Sequence, residues 1–398
     1  MTTTTAGLVL LAIPIVLFAY AYLIYPLLLR VVATLRPVPR PAADPLEWPS
    51  VSISLPAYNE ERSIRATLEA LLRIDYPSER RQILVVSDAS TDRTDDIVRE
   101  FAARGVELLR LPARAGKTAA ENAAAAHLRG EIVVNTDATI RIPPESLKPL
   151  VRVFQDPTIG VASGRDVSVG RLDQEANRGE SGYVGYEMWL RSLETRVGSI
   201  VGASGCFYAI RRPLVNALFP EALSRDFASP LRARQSGYRT VSVDDAVCLV
   251  PRTVSLRSEF RRKIRTMARG LETLWYLRDL MNPFRYGVFS WMLVSHKLCR
   301  WLVHLTLPLA LVGLALLAPA STAAAAALVV AALVLAVGTF ALSWPEDQRL
   351  PLPVAMAGFF VAVNVAALAA WGKALRGERN PIWEPTRRPG DAVAPRSG

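Results

Sequence analysis

Cysteine is scarce in this chain, and its spacing excludes the usual cysteine-based architectures. The 398 residues contain three cysteines, Cys206, Cys248 and Cys299, and no two of them form a CxxC pair. Neither a disulfide framework nor a structural zinc site is therefore expected, and a reducing compartment fits. Histidine is equally rare, and His296 and His304 have no acidic or cysteine neighbour at metal-ligand spacing.

Several common ligand-binding motifs are also missing. Gly116-Lys117-Thr118 is like the end of a P-loop, but Leu111 stands where that motif requires glycine, which excludes a Walker A site. The net charge of +11 favours contact with anions, yet the chain has no nucleic-acid motif and no platform of interleaved basic and aromatic residues. Anionic lipid headgroups and diphosphates are therefore expected as partners, and nucleic acid is not.

Long apolar runs are confined to the two ends of the chain. Hydrophobic residues make up 51% of the sequence, its mean hydropathy is +0.21, and the excess lies at residues 8–29, 302–318, 322–342 and 353–371. Each run approaches the roughly 20 apolar residues that cross a bilayer. The first has no Lys or Arg ahead of it and no cleavage site after it, so we expect a retained membrane anchor rather than a signal peptide.

Basic residues beside these runs predict how the chain is oriented in a cell (inner) membrane. Arg30, Arg36 and Arg40 follow the first run and place the middle of the chain in the cytoplasm. Three later crossings would put the C-terminus outside, although a basic cluster after residue 372 favours the inside. That cluster consists of Lys373, Arg376, Arg379, Arg387 and Arg388. Either one C-terminal run is re-entrant or interfacial, or residues 284–301 lie deeper than expected.

The middle of the chain alternates between strand and helix patterns. Apolar runs at residues 51–57, 82–87, 106–111 and 131–136 predict buried strands, with amphipathic helices between them. This alternation predicts an α/β domain with a doubly wound, mostly parallel sheet. Further strands are expected at 159–169, 201–210 and 239–250, and further helices at 174–196 and 226–235.

A basic amphipathic helix is expected over residues 255–280, because arginines alternate there with apolar residues at helical spacing, as at a membrane interface. Aromatic residues follow it up to Trp301 and are typical of an aromatic belt. The predicted domains are an N-terminal anchor at 1–30, a stiff proline-rich linker at 31–50, the α/β domain at 51–254, interfacial helices at 255–301, transmembrane helices at 302–372 and a basic tail at 373–398.

Four short motifs occur in order along the α/β domain. They are LPAYNEE at 55–61, VVSDASTD at 85–92, GKT at 116–118 with Asn122, and VVNTDAT at 133–139. In two of them an apolar run ends in an acidic residue, which places a carboxylate at the carboxyl edge of the sheet, where ligands bind. Together the motifs resemble the nucleotide-sugar site of family 2 glycosyltransferases, inverting enzymes with a GT-A fold.

The resemblance implies which residues hold the nucleotide-sugar donor. Base and ribose binding falls to the loop after the first strand and the acid after the second, here Ala57, Tyr58, Asn59, Glu60 and Asp88. Asp88 has an alternative role in closing a turn, because strong cap residues follow it. Lys117 matches the lysine that the family directs at the diphosphate, and Asn122 matches its companion; a solvated lysine at a helix start is the alternative.

A divalent metal is implied by Asp137, which stands at the family's Asp-x-Asp motif. In the family, Mg²⁺ or Mn²⁺ at this motif bridges the diphosphate. Here the run is Asp137-Ala138-Thr139, so the second acid is missing. Because Mg²⁺ commonly uses one or two protein carboxylates with phosphate oxygens and water, Asp137 could suffice, with Thr139 or water completing the shell. A degenerate, non-catalytic domain is the alternative.

The resemblance also implies that Asp226 is the general base, since it opens a helix after the acceptor-binding strand. Arg225 replaces the first acid of the family's acid pair, and a neighbouring cation favours the ionised form of Asp226. A helix N-cap is the alternative role. Asp244 and Asp245 are competing carboxylates.

The segment 202–212 resembles the wall of the acceptor and donor-sugar site. It contains Ser204 and Gly205, and its glycines permit close backbone approach. A core strand with a bulge is the alternative interpretation.

Processive relatives, such as cellulose and hyaluronan synthases, carry Gln-x-x-Arg-Trp on the interfacial helix. In the matching run of residues 262–266 the arginine is Arg265, but the Gln and Trp are gone. The resemblance therefore implies a non-processive enzyme, with Arg262 and Arg265 at the diphosphate or snorkelling to lipid phosphates. The expected reaction is sugar transfer to a lipid-linked or membrane-proximal glycan acceptor. A processive synthase and a non-catalytic subunit are the alternatives.

Overall fold

The structure is a computed structural model that describes residues 2–37, 43–169, 175–216, 218–251, 256–345, 348 and 350–378. The expectations for Arg40 and for the part of the basic tail after residue 378 lie outside these residues.

A seven-stranded mixed sheet forms the centre of the α/β domain. Its strands are β1 (Val51–Ala57), β2 (Arg81–Ser87), β3 (Val106–Arg110), β4 (Ile132–Thr136), β5 (Ile159–Val169), β6 (Phe207–Arg211) and β7 (Arg239–Pro251). The order is β3-β2-β1-β4-β6-β5-β7. Strands β3, β2, β1 and β4 are parallel, β6 is antiparallel to β4 and β5, and β5 is parallel to β7. The predicted doubly wound, mostly parallel sheet is confirmed.

Some helices cover the two faces of this sheet, and the long apolar helices form the candidate membrane spans. The helices are α1 (Thr3–Ala19), α2 (Tyr25–Thr34), α3 (Ile64–Leu72), α4 (Thr94–Glu100), α5 (Lys117–Ala124), α6 (Leu147–Arg152), α7 (Glu175–Val197), α8 (Arg212–Val215), α9 (Arg225–Gln235), α10 (Leu256–Tyr276), α11 (Pro283–Tyr286), α12 (Val288–Leu293), α13 (Arg300–Leu317), α14 (Thr322–Ser343) and α15 (Leu352–Leu375). The π-helical segments Tyr20–Ile24 and Val294–Cys299 join α1 to α2 and α12 to α13.

Burial on both faces explains why the first strands read as continuous apolar runs. Every residue of β1 is buried. In β2, Ile83 and Val85 belong to the core on one face of the sheet, whereas Leu84 and Val86 belong to the core on the other, beside α5. A parallel sheet covered by helices on both sides requires this composition.

The strand predicted at residues 201–210 is shorter than expected, because β6 begins only at Phe207. The prediction was wrong for residues 201–206. The backbone N–H of Ala203 donates to the carbonyl of Asp226 at 3.1 Å, and that of Ser204 donates to Ser163 Oγ at 2.8 Å. These bonds tie the segment before β6 to α9 and β5, so the segment is a loop at the edge of the sheet.

Among the residues that the structure describes, four helices are long and apolar enough to cross a membrane: Thr3–Thr34, Val288–Leu317, Thr322–Ser343 and Leu352–Leu375. The four predicted runs are thereby confirmed as apolar helices. The second begins at Val288, because the aromatic segment predicted to lie at the interface continues into the same helix. The domain boundary predicted at residue 301 therefore falls inside a helix.

A buried ion cluster joins the apolar helices to the α/β domain. Glu194 of α7 accepts from Tyr25 Oη at 2.9 Å and contacts His296 Nδ1 at 2.6 Å. Glu187 contacts His296 Nε2 at 3.0 Å and accepts from Arg300 at 3.1 Å. Separating the helices from the domain would leave buried charges unpaired, which is strongly unfavourable.

Candidate active site

Three loops meet at one edge of the sheet because β1, β2 and β4 are parallel and their carboxyl ends coincide. Asn59, after β1, joins the first two loops: the N–H of Thr91 donates to Asn59 Oδ1 at 2.8 Å, and the N–H of Asn59 donates to Ser90 Oγ at 3.2 Å. Asn59 has φ 54°, a left-handed conformation that asparagine tolerates. The first two motifs therefore form one structural unit.

Two further residues of the first loop have contrasting environments. The Arg114 guanidinium lies 3.9 Å from the centre of the half-buried Tyr58 ring, so the two side chains form a stacked platform at the sheet edge. Glu60 is buried; its N–H donates to Thr94 Oγ1 at 2.7 Å, and its carboxylate accepts from Ser63 Oγ at 2.6 Å. Arg114 was not among the predicted site residues.

Asp88 directly follows β2, and its carboxylate accepts hydrogen bonds from the backbone just before Lys117. Its two carboxylate oxygens accept from the N–H groups of Ala115 at 2.7 Å and Gly116 at 2.9 Å. Gly116 has φ 99°, a conformation that favours glycine. Asp88 therefore shapes the turn that precedes Lys117.

Lys117, the first residue of α5, lies at the centre of the site. Its Nζ is 2.5 Å from Asp137 Oδ1 and donates to the carbonyl of Gly205 at 3.2 Å. Burial alone would lower the pKa of Lys117, but the charges of Asp137 and Glu121 outweigh it and raise the pKa. The ammonium is therefore charged at neutral pH, and it neutralises the carboxylate predicted to bind metal.

Asp226 lies in the first turn of α9, beside Gly205. Its Oδ1 accepts from Ser224 Oγ at 2.6 Å, and its Oδ2 is 3.1 Å from the position that a Cβ on Gly205 would occupy. Lys117 and Asp226 thus approach Gly205 from its carbonyl and Cα sides. The structure brings the predicted diphosphate lysine, metal ligand and general base together around one residue.

Glu121 was not among the predicted site residues, although it follows Lys117 by one helical turn. It is buried, and Arg225 Nε lies 3.9 Å from its Oε2. Burial raises the pKa of Glu121, and the positive charges of Lys117 and Arg225 lower it by a smaller amount. The pKa of Glu121 is therefore raised. Arg225 also donates to Asn122 Oδ1 at 2.9 Å, and Asn122 Nδ2 donates to the carbonyl of Phe219 at 2.7 Å. Asn122 and Arg225 therefore join α5 to the segment that precedes α9.

Polar contacts hold the loop before β6 in place. Ser204 Oγ donates to Asp166 Oδ1 at 2.5 Å and accepts from the N–H groups of Cys206 and Phe207, each at 3.1 Å. Arg191 of α7 donates to the carbonyl of Ala203 at 3.2 Å. Asp166 and Arg191 lie 38 and 12 residues before their partners in this loop, and no local pattern indicated them.

The amphipathic helix α10 contacts the site through Arg269. This side chain donates to Thr118 Oγ1 at 2.6 Å and to the carbonyl of Glu221 at 3.1 Å, so α10 is fixed beside the start of α5. Arg262 makes two hydrogen bonds of 2.8 Å to Glu259 of its own helix. Arg265 lies between Arg262 and Arg269 on α10, and the predicted contacts of Arg262 and Arg265 with a diphosphate stay predictions.

The residues present suit a cation that protein and substrate hold together. Within the described ranges, no group of three or more Asp, Glu, His or Cys could hold a metal ion. Asp137 offers one carboxylate, with the half-buried Thr139 two residues later. His296 is held by the ion cluster, and His304 Nδ1 lies 2.7 Å from Asn364 Oδ1. One carboxylate completed by phosphate oxygens and water is a set that Mg²⁺ accepts.

Known proteins resemble this chain in both sequence and fold. The model of glycosyl transferase family 2 matches residues 52–219. An N-acetylglucosaminyltransferase from Rhizobium sp. (strain N33) is 28% identical over 284 residues, which are 65% of this chain and 62% of that protein, so the match spans less than two thirds of the relative. A beta-monoglucosyldiacylglycerol synthase from Synechocystis sp. is 27% identical over 44% of this chain and 38% of that protein.

A solved structure extends the similarity to nearly the whole chain. It is a mannosyltransferase from Pyrobaculum calidifontis in complex with GDP-Man and Mn²⁺, with a TM-score of 0.72 and 27% identity, covering 93% of this chain and 100% of that chain. Domain, relatives and fold thus agree with the expectation from the four motifs. Residues 52–219 match the glycosyl transferase family 2 domain, and the chain has the GT-A fold of the solved mannosyltransferase.

Proposed function

We propose that this enzyme transfers a sugar, with inversion, from a nucleoside diphosphate sugar to a lipid-linked or membrane-proximal glycan acceptor. The observation that carries the proposal is the convergence of Lys117, Asp137 and Asp226 around Gly205. This arrangement puts a cation, a candidate metal ligand and a candidate base within reach of one substrate. Exopolysaccharide or cell-envelope glycan synthesis is the setting in which such a transfer is used.

Donor binding begins at the joined loops after β1 and β2. The platform of Tyr58 and Arg114 offers a flat surface for the base, while Ala57, Asn59 and Glu60 line the same edge. Asp88 contributes mainly by ordering the turn before α5. The solved mannosyltransferase was crystallised with GDP-Man, which supports a nucleotide-sugar donor here.

The departing diphosphate needs charge neutralisation, and Lys117 supplies one positive charge at the N-terminus of α5, where anions are favoured. Mg²⁺ or Mn²⁺ beside Asp137 and Thr139 would supply Lewis-acid stabilisation of the leaving group. The Mn²⁺ in the solved mannosyltransferase is consistent with divalent metal use. Because Lys117 pairs with Asp137 in this structure, donor binding has to separate the two side chains.

Proton removal from the acceptor falls to Asp226. Ser224 holds one carboxylate oxygen, and the other faces Gly205, next to the donor-sugar wall. A carboxylate held in this way can accept the proton of an acceptor hydroxyl that attacks the sugar from the side opposite the diphosphate. Ser204 and Gly205 shape the surface on which the two sugars meet.

The contacts around the site support a membrane-proximal acceptor. Arg269 fixes the amphipathic helix α10 beside α5, and the ion cluster of Glu187 and His296 ties the apolar helices to α7. The site therefore opens next to helices of membrane-spanning character. The similarity to a glycolipid synthase supports an acceptor at the lipid surface.

The test is a screen of nucleotide sugars for donor hydrolysis and transfer by the purified protein in detergent. We expect hydrolysis of one donor class in the presence of Mn²⁺. Asp226→Asn should lower transfer by about 10²–10⁴-fold while donor affinity is retained, and Asp245→Asn is the matched control. Transfer at the normal rate by Asp226→Asn, or no donor use at all, would overturn the proposal. Product length then separates single transfer from processive synthesis.

A further inference from the structure

The last helix, α15, has the length and apolar composition of a membrane span, but its two ends lie at the same depth. Its position can be read from the helices around it. Below, the inner end of a helix is the end nearer to the α/β domain, and the outer end is the opposite one.

Helices α1 and α13 run antiparallel and define the depth scale. Gly7 of α1 packs against Gly313 and Leu317, and Tyr20 Oη is 2.7 Å from Ser295 Oγ at the other end. Leu317 therefore marks the outer end of α13, and Trp301 lies about 24 Å further in, at 1.5 Å per residue. A short turn links Leu317 to α14, which begins at Thr322 and therefore also starts at the outer end.

The first half of α15 packs on the inner part of α14. The carbonyl of Ala357 lies 2.7 Å from where a Cβ on Gly338 would be, and the Val361 side chain also packs against this position. Gly338 is about 24 Å along α14 from its outer end. The start of α15 is therefore on the side of the α/β domain.

The second half of α15 packs on the inner part of α13. Asn364 Oδ1 is 2.7 Å from His304 Nδ1, and Trp371 Nε1 donates to the carbonyl of Trp301 at 3.1 Å. A crossing helix would place Trp371 near the turn between α13 and α14 instead, about 24 Å away. Helix α15 thus connects the inner ends of α13 and α14.

The basic helix α10 also runs between the inner ends of α14 and α13, and it packs on α15. Arg257 Nε donates to the carbonyl of Leu342 at 3.2 Å, at the inner end of α14, and Gly270 packs against Trp301, at the inner end of α13. The uncovered face of α15 is apolar: the exposed fractions are 63% for Met356 and 51% for Phe360.

We propose that α15 lies along the inner surface of the bilayer and does not cross it. Its uncovered face binds the acyl chains of the inner leaflet, while α10 provides the basic face toward the headgroups. The segment that begins at Lys373 and Arg376 is then on the side of the α/β domain, together with Arg30 and Arg36. This arrangement satisfies the positive-inside rule, which three crossings after the α/β domain would violate.

Single-cysteine labelling tests the proposal without any assay of activity. Cys206, Cys248 and Cys299 are replaced by serine, and one cysteine is placed at the exposed Arg376, after α15. Two reference cysteines are placed at the exposed positions Glu79, in the α/β domain, and Ala320, between α13 and α14. Sealed vesicles are treated with a membrane-impermeant maleimide before and after permeabilisation.

We expect the cysteine at 376 to be labelled from the same side as that at 79 and from the side opposite to 320. Labelling together with 320 overturns the proposal. Spin labels attached to single cysteines measure depth in the bilayer independently. A label on Phe360→Cys should lie near the bilayer surface, whereas a label on Val330→Cys, in the middle of α14, should lie near the bilayer centre. Equal depth for both labels would show that α15 crosses the bilayer.

Discussion

Replacing Lys117 by methionine is predicted to change metal binding and donor binding in opposite directions. Methionine keeps the length of the side chain but removes its charge. In this structure the ammonium is 2.5 Å from Asp137 Oδ1, and the pKa of Lys117 is raised despite burial. Before the donor arrives, the lysine therefore occupies the carboxylate that a divalent cation would need.

The magnitude follows from the charges and their exposure. A divalent cation and an ammonium about 5 Å apart repel each other by about 7 kcal/mol at an effective dielectric constant near 20. The side chains of Lys117 and Asp137 are 22% and 23% exposed, so water screens the charges and the lysine can move aside. We therefore expect about tenfold tighter binding of Mn²⁺ alone, which corresponds to about 1.4 kcal/mol.

Binding of a nucleoside diphosphate should weaken in the same variant, by about tenfold or more, because one positive charge facing the phosphates is lost. Binding of the bare nucleoside should change little. This contrast separates loss of a phosphate contact from a general loss of structure, which would weaken both ligands equally.

Isothermal titration of the purified protein in detergent measures all three affinities. Lys148→Met is the matched control, because Lys148 forms an exposed pair with Asp75 at 2.8 Å, away from the site; it should change none of them. Lys117→Arg should keep the competition with metal. Weaker binding of Mn²⁺ alone by Lys117→Met would refute the reasoning, since Lys117 would then assist the metal ligand instead of occupying it.

Three other substitutions test the packing and chemistry of the domain. Gly205→Ala should lower transfer more than donor affinity, measured by steady-state kinetics, because its Cβ would lie 3.1 Å from Asp226 Oδ2. Gly130→Ala should destabilise the fold by about 1–3 kcal/mol in thermal unfolding, since its Cβ would lie 2.5 Å from a backbone carbon of β1, whereas Gly182→Ala meets no atom within 4 Å and should be tolerated. Thr139→Asp should tighten Mn²⁺ binding if residue 139 faces the cation, and unchanged affinity would show that it points away.

Much of the α/β domain could be predicted from local pattern. Strands β1, β2 and β4 are buried on both faces, so their apolar runs stand out, and polar residues end them where the sheet ends. Because parallel strands share one carboxyl edge, the motifs alone were enough to assign Asn59 and Asp137 to one site. The apolar helices were equally recognisable, since composition alone makes them candidates for the membrane.

Contacts between distant residues could not be predicted in the same way. The hydrogen bonds of the Asp88 carboxylate to the N–H groups of Ala115 and Gly116 join residues 27 and 28 positions apart. The predicted contact of Asp88 with the base and ribose stays a prediction. Residues 201–206 looked like part of a strand, but hydrogen bonds to α9 and β5 hold them as a loop. Such pairings depend on how the chain folds back on itself, and they leave no periodic signal.

The sequence by itself determined the alternating elements, the four motifs and the apolar helices, because burial imposes a repeat that composition reveals. Only the tertiary structure decided that Lys117 neutralises Asp137, that Glu121 lies buried behind them, and that α15 connects the inner ends of α13 and α14. Charge pairing and helix docking join residues far apart in the chain, and their energies depend on distances that exist only after folding.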